Sequence, residues 1–173
     1  MKTRFNTLSA AGLAALLAVS GYAVADDDHH KIAAIAQTKV TPAQAIATAQ
    51  KQAGGQATEI QLEGKYGMPV YHVEVRNGQQ EHDVYVDAVS GKVIGSKVET
   101  EWKPARKAAV PLERALQIAQ GAVPGRVMDA ERDDNYGRLV YKVDILGSNN
   151  VPHKVIVDAS NGKVLNSFVD YDD

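Results

Sequence analysis

The 173-residue chain contains no cysteine. That absence removes disulfide cross-links, acylation of a lipoprotein cysteine and thiolate chemistry together. An excess of basic residues is missing too, with 19 Lys and Arg against 21 Asp and Glu. Such a balance argues against a nucleic-acid partner, whose phosphates call for a basic surface, and against anionic membranes. Long apolar runs are also lacking. The stretch Leu8 to Val19 is too short for the about 20 residues of a membrane span, and no later segment comes close. Preceded by Lys2 and Arg4 and followed by Ala23-Val24-Ala25, it reads as a secretory signal peptide over residues 1–25, cleaved near Ala25. Loss of those two basic residues leaves 17 basic against 21 acidic. The expectation is a periplasmic or secreted protein without a membrane anchor.

What is present is a repeat. Val40 to Val75 aligns without a gap with Val110 to Ile145, placing Ala45 on Ala115, Gln50 on Gln120, Gly55 on Gly125 and Tyr66-Gly67 on Tyr136-Gly137. After one inserted residue, Val86-Asp87-Ala88-Val89-Ser90-Gly91-Lys92-Val93 falls on Val157-Asp158-Ala159-Ser160-Asn161-Gly162-Lys163-Val164. Recurring residues are first to be read as what the unit needs to fold, and function is to be sought in what each copy presents outward.

The first copy, 40–99, opens with Thr41-Pro42-Ala43-Gln44, a capping sequence, and continues with Ala45, Ile46, Ala49 and Ala53 at helical spacing up to Gly54-Gly55. The second, 110–170, repeats the helix from Pro111 to Pro124-Gly125. Beyond each helix the period changes to two: Tyr71, Val73 and Val75 alternate with His72, Glu74 and Arg76. Asp87 and Gly91, like Asp158 and Gly162, have the chemistry of a hairpin turn, a carboxylate for backbone amides and a glycine for positive φ. The expected fold is α+β: two tandem repeats, each a helix on one face of a three- to four-stranded antiparallel meander. Residues 26–39, opening with Asp26-Asp27-Asp28-His29-His30, read as a mobile acidic arm with a short helical stretch through Ile32 to Ala36. Residues 100–109 read as a linker, its Trp102 an anchor between the repeats. Residues 171–173 end an acidic tail.

The helix, the Tyr-Gly turn, the strand Val-Tyr-x-Val-x-Val and the closing phrase Val-Asp-Ala-x-x-Gly-Lys-Val resemble the PepSY domain of thermolysin-like metallopeptidase propeptides and of exported bacterial proteins. The resemblance covers residues 40–99 and 110–170. It implies a non-catalytic module that restrains or chaperones a peptidase. With no protease domain in this chain, the restrained enzyme would be a separate exported protein.

The residues themselves offer little to an enzyme: no cysteine, no Gly-x-Ser-x-Gly elbow, and histidines scattered at 29, 30, 72, 82 and 153. No cofactor is expected. Metal ligation is an alternative, through His29 and His30 in the arm or through His72, Glu74 and Asp83 on the open sheet face. If the loop at Asn77 to Gln80 is tight, Glu74 lies opposite Asp83 and His72 opposite Tyr85. Like charges face to face then need a cation, water or a shifted register. The second copy places Asp144 opposite Lys154. Tyr71 and Tyr141 share the parity of core valines, and Tyr66 and Tyr136 are expected to pack over their turn glycines. Tyr85 and its counterpart Ile156 fall on the outer parity. With Trp102, they are the candidate contacts of a protein partner. The leading expectation is therefore an exported binding module, inhibiting or chaperoning an exported peptidase by its open sheet face or an edge strand. The alternative is a periplasmic sensor of a metal or small ligand.

Overall fold

A computed structural model describes residues 26–65, 67–100, 106–148 and 150–170. The elements run α1 (Asp26–Gln37), α2 (Pro42–Ala53), β1 (Gln56–Lys65), β2 (Met68–Asn77), β3 (Gln80–Asp87), β4 (Val93–Thr100), α3 (Leu112–Ala122), β5 (Gly125–Asn135), β6 (Arg138–Gly147), β7 (Pro152–Asp158) and β8 (Val164–Val169). The signal-peptide reading and Trp102 fall outside the described residues.

Local chemistry sets the element ends. Thr41 caps α2: its hydroxyl accepts from the Gln44 amide at 3.2 Å, and the Gln44 side chain accepts from the Thr41 amide at 2.8 Å. Gly54 closes the helix in the left-handed conformation, φ 72°. The expected hairpin chemistry is present in both copies. Asp87 accepts from the amides of Val89 (3.1 Å) and Ser90 (2.6 Å), Asp158 from that of Ser160 (2.8 Å), and Gly91 and Gly162 have φ 73° and 76°. Hydrogen bonds from Ser90, and from the hydroxyl and amide of Ser160, hold the Asp87 and Asp158 carboxyls below the usual carboxylate range.

The strands do not form two sheets. They form one antiparallel sheet of eight, ordered β4-β3-β2-β1-β5-β6-β7-β8. This corrects the expectation of separate meanders: each copy supplies four strands, and β1 pairs with β5 through Glu59 with Glu131, Ile60 with Ala130 and Gln61 with Asp129. Ile60 and Ala130 are equivalent positions of the two repeats, 70 residues apart. The joint is therefore a pseudo-twofold axis, the geometry of an isologous dimer within one chain. Both inner strands carry a bulge at the same place, at Ala57/Glu59 and at Val127/Asp129.

Helices α2 and α3 cover one face, burying Ala45, Ile46, Ala49 and Ala53 and, in the second copy, Leu112, Ala115, Leu116 and Ala119. The buried side chains of both copies form one cluster. Tyr71 and Tyr141 are buried as expected, and each hydroxyl donates to the carbonyl of the residue before its repeat's helix cap, Val40 at 3.1 Å and Val110 at 2.8 Å. Residues 26–37 are not a mobile arm. They form α1, which packs on β1, β2 and β5 with Ala34 and Ile35 buried. Lys31 of that helix reaches Asp129 at 2.7 Å, whose other oxygen accepts from the Leu62 amide at 3.0 Å. Tyr136 also departs from expectation. It does not pack over Gly137 but stands fully exposed at φ 52°.

Gly55 and Gly125 do more than end helices. A Cβ at Gly55 would collide with the Arg76 carbonyl and lie 3.0 Å from Val75; one at Gly125 would collide with the Leu146 carbonyl and lie 2.6 Å from Ile145. Backbone blocks the space, so repacking a side chain gives no relief. Gly55→Ala and Gly125→Ala should each cost about 2 kcal/mol or more in urea unfolding. Gly121→Ala, in an exposed helix position with nothing within 4 Å, should be neutral or stabilising.

Candidate functional site

The outer face of the sheet carries the polar residues. Register follows the sequence reading: Glu74 is opposite Asp83, His72 opposite Tyr85, and Asp144 opposite Lys154. The like charges of Glu74 and Asp83 are not left facing each other. His72 Nε2 lies 2.8 Å from an Asp83 oxygen and its Nδ1 is 3.9 Å from Glu63. Arg76 bonds Glu74 at 3.0 Å and also pairs with Glu81. Burial opposes ionisation of Glu74, but contact with Glu81 and the Arg76 guanidinium outweighs it, and its pKa is lowered.

This arrangement divides the candidate metal ligands. His72 and Asp83 meet, whereas Glu74 is turned to Arg76. Among the described residues no group of three or more His, Asp or Glu is placed to hold a metal ion. His29 and His30 belong to α1, with side chains outside the described ones.

Neither aromatic nor aliphatic candidate on this face stands clear of its neighbours. Tyr85 is half-buried, stacked on His72 with ring centroids 4.8 Å apart at 14°. Its ring also lies over Gly95 of β4, 3.7 Å from where a Cβ would sit. That glycine leaves the aromatic room on the sheet. Ile156 is half-buried between Lys142 and Asn166 in register. In this copy Lys142 pairs with Glu131 (3.1 Å) and Asp133 (2.8 Å), and Lys154 with Asp144 (3.6 Å) and Asp170 (2.5 Å). The outer face is therefore a layer of ion pairs with Tyr85 and Ile156 set into it.

Sequence reasoning missed the residue with the most altered chemistry. Glu59 sits at the joint, opposite Glu74 on β2 and Glu131 on β5. Burial, then the charges of Glu74 and Glu131, push its carboxyl up to about 7, with His72 pulling the other way. The signal was available in part: Glu59 and Glu74 share the outer parity, but only the β1–β5 pairing adds the third carboxylate.

A carboxyl whose pKa is raised on folding contributes most when protonated, below its unfolded value. The contribution is lost as pH rises through about 7. Glu59→Gln should therefore be more stable than wild type at pH 8, and the difference should shrink as pH falls and disappear below about pH 4. Partial exposure screens the effect to about 1 kcal/mol. The check is the difference between the two stability-versus-pH curves in urea.

The family model described as "Peptidase propeptide and YPEB domain", PepSY, matches residues 39–97 and again 109–168. The YkoJ protein of Bacillus subtilis (strain 168) is 23% identical over 162 residues, covering 91% of this chain and 94% of its own. Among solved structures, the CD1622 protein of Clostridium difficile 630 is 21% identical, with a TM-score of 0.47, covering 77% of this chain and 95% of its own. The YpmB protein of Bacillus subtilis is 18% identical, with a TM-score of 0.36, covering 73% and 94%. The chain belongs to the PepSY family, with two copies of the domain in tandem.

Proposed function

We propose that this protein is an exported, non-catalytic binding module that restrains or chaperones an exported peptidase, and that it engages that partner by strand addition. PepSY domains are in general non-catalytic binding and regulatory modules. The signal-peptide sequence at residues 1–25 supports export, and no described helix is long and apolar enough to cross a membrane.

The observation that carries the reading is the state of the sheet's two ends. Strands β4 and β8 are the last in the order and present unpaired edges among the described residues. Each carries exposed apolar residues at equivalent positions: Ile94 with Leu165, and Val98 with Val169, to which β8 adds Phe168. Exposed edges are normally blunted by charge. Strand β4 follows that rule with Lys97 and Glu99, whereas β8, Val164-Leu165-Asn166-Ser167-Phe168-Val169, contains no charge at all. An extended segment of a partner added beside β8 gains main-chain hydrogen bonds and covers those side chains. Tyr85, Ile156 and Trp102 serve in this reading as flanking contacts.

The test is inhibition or protection of purified peptidases exported by the same cell. Wild type should slow cleavage of a peptide substrate, and Leu165→Lys with Val169→Lys should weaken that effect about tenfold or more, about 1.4 kcal/mol. Tyr85→Asp with Ile156→Asp should weaken it less. Full potency in the β8 variant, with folding intact by circular dichroism, would remove the edge from consideration.

A further inference from the structure

We infer that the second repeat holds a cationic cavity that takes a short acidic peptide segment, lined by basic residues that the first repeat lacks at the equivalent positions. The cavity, about 480 Å³, lies between the linker at 106–109, the β5–β6 turn at 137–139 and the β7–β8 turn at 158–161. Its volume falls within the ~300–1,000 Å³ usual for small-ligand sites.

Three cations line it, in unequal states. Arg106 is committed to structure: it pairs with Asp134 and donates to the Gly137 carbonyl at 3.2 Å. Lys107 has no hydrogen bond or ion pair among the described residues. Arg138 is largely exposed, and its Nε lies 3.9 Å from Asp158, beyond hydrogen-bond reach. Asp158 spends one oxygen on the Ser160 amide and hydroxyl. With Asp134 and Asp158 set against the three cations, one positive charge is in excess, on a chain whose overall balance is negative.

Comparison of the copies separates this site from the needs of the fold. The turn residues Gly67/Gly137 and Asp87/Asp158 are retained. The positions that make the cavity basic are not: Arg106, Lys107 and Arg138 correspond to Ala36, Gln37 and Met68, and Ser160 to Val89. Met68 and Val89 are exposed apolar residues there, and the one basic residue gained is Lys39, in the place of Ala109. Beside the cavity stands Tyr136, fully exposed at a positive φ that non-glycine residues seldom adopt. Tyrosine and arginine are, with tryptophan, the residues enriched at interface hot spots. Carboxylates of the bound segment would meet Lys107 and Arg138, and an apolar side chain would lie against Leu139 and Tyr136. The site is independent of the sheet edges.

The probe is an acetylated, amidated pentapeptide of four glutamates around a central leucine, titrated into the ¹⁵N-labelled protein. The Arg138, Ser160 and Asn161 amides should shift saturably, with those of Met68, Val89 and Ser90 unmoved, and Lys107→Glu or Arg138→Glu should weaken binding about tenfold or more. Both side chains are at the surface, and Lys107→Gln provides a gentler variant if a charge reversal perturbs folding. No saturation by roughly 10 mM, a dissociation constant worth under about 3 kcal/mol, overturns the inference. So do equal shifts with the glutamine counterpart of the peptide, equal shifts with free glutamate, or unchanged binding in the variants.

Discussion

The rest of the structure depends on the pairing of β1 with β5. Only three register pairs make this joint, centred on Ile60 and Ala130, yet it turns two four-stranded meanders into one eight-stranded sheet. A unit of about 60 residues buries too little surface to be comfortably stable alone. Separated at the joint, each would also expose the inner edge of β1 or β5, with their backbone donors unpaired. Joined, the two close each other's inner edge and share one buried cluster. Antiparallel contact between equivalent residues explains why the strand order is a palindrome.

The same joint adds to the chemistry of the outer face. A twofold relation sets Glu59 of one inner strand opposite Glu131 of the other, and Gln61 opposite Asp129. The chain offsets that repulsion unevenly. Asp129 is tied by Lys31 of α1 and by the Leu62 amide, and Glu131 by Lys142. Glu59 has neighbouring acids and burial, and it answers by holding its proton up to about pH 7. Burial raises that pKa first and Glu74 of the same repeat second, and the joint adds the third cause, Glu131.

Much of this was legible in the residues. Capping at Thr41, the Asp and Gly turns, the burial of Tyr71 and Tyr141 and the register of β2 on β3 each rest on local spacing, which sequence displays directly. The single sheet was not legible, because pairing Ile60 with Ala130 needs no special residue: both are ordinary inward-facing positions. Helix α1 was misread because three aspartates and two histidines at its start suggest a solvated segment, while the apolar contacts of Ala34 and Ile35 are made with residues distant in sequence. On the outer face, the pairs His72 with Tyr85 and Glu74 with Asp83 followed from a tight loop. The neutralising roles of Arg76 and His72 needed side-chain directions that alternation alone does not give.

Symmetry also says where the copies are free to differ. A pseudo-twofold axis constrains inner-face residues strongly, since each side of the joint must match the other, and constrains the far ends of the strands hardly at all. The approach to α2 is the helix α1, which ends at Gln37; the approach to α3, over residues 106–111, has no helix. Positions 106–109 therefore run as open linker across the strand ends, held there by Arg106 on Asp134 and by the Ala109 and Val110 amides on the Ala159 carbonyl. An open linker leaves a hollow, and its basic residues line that hollow instead of facing solvent from a helix. The copies thus diverge at the strand ends as well as on the outer face, and an activity peculiar to one repeat is best sought at such positions and not on the duplicated core.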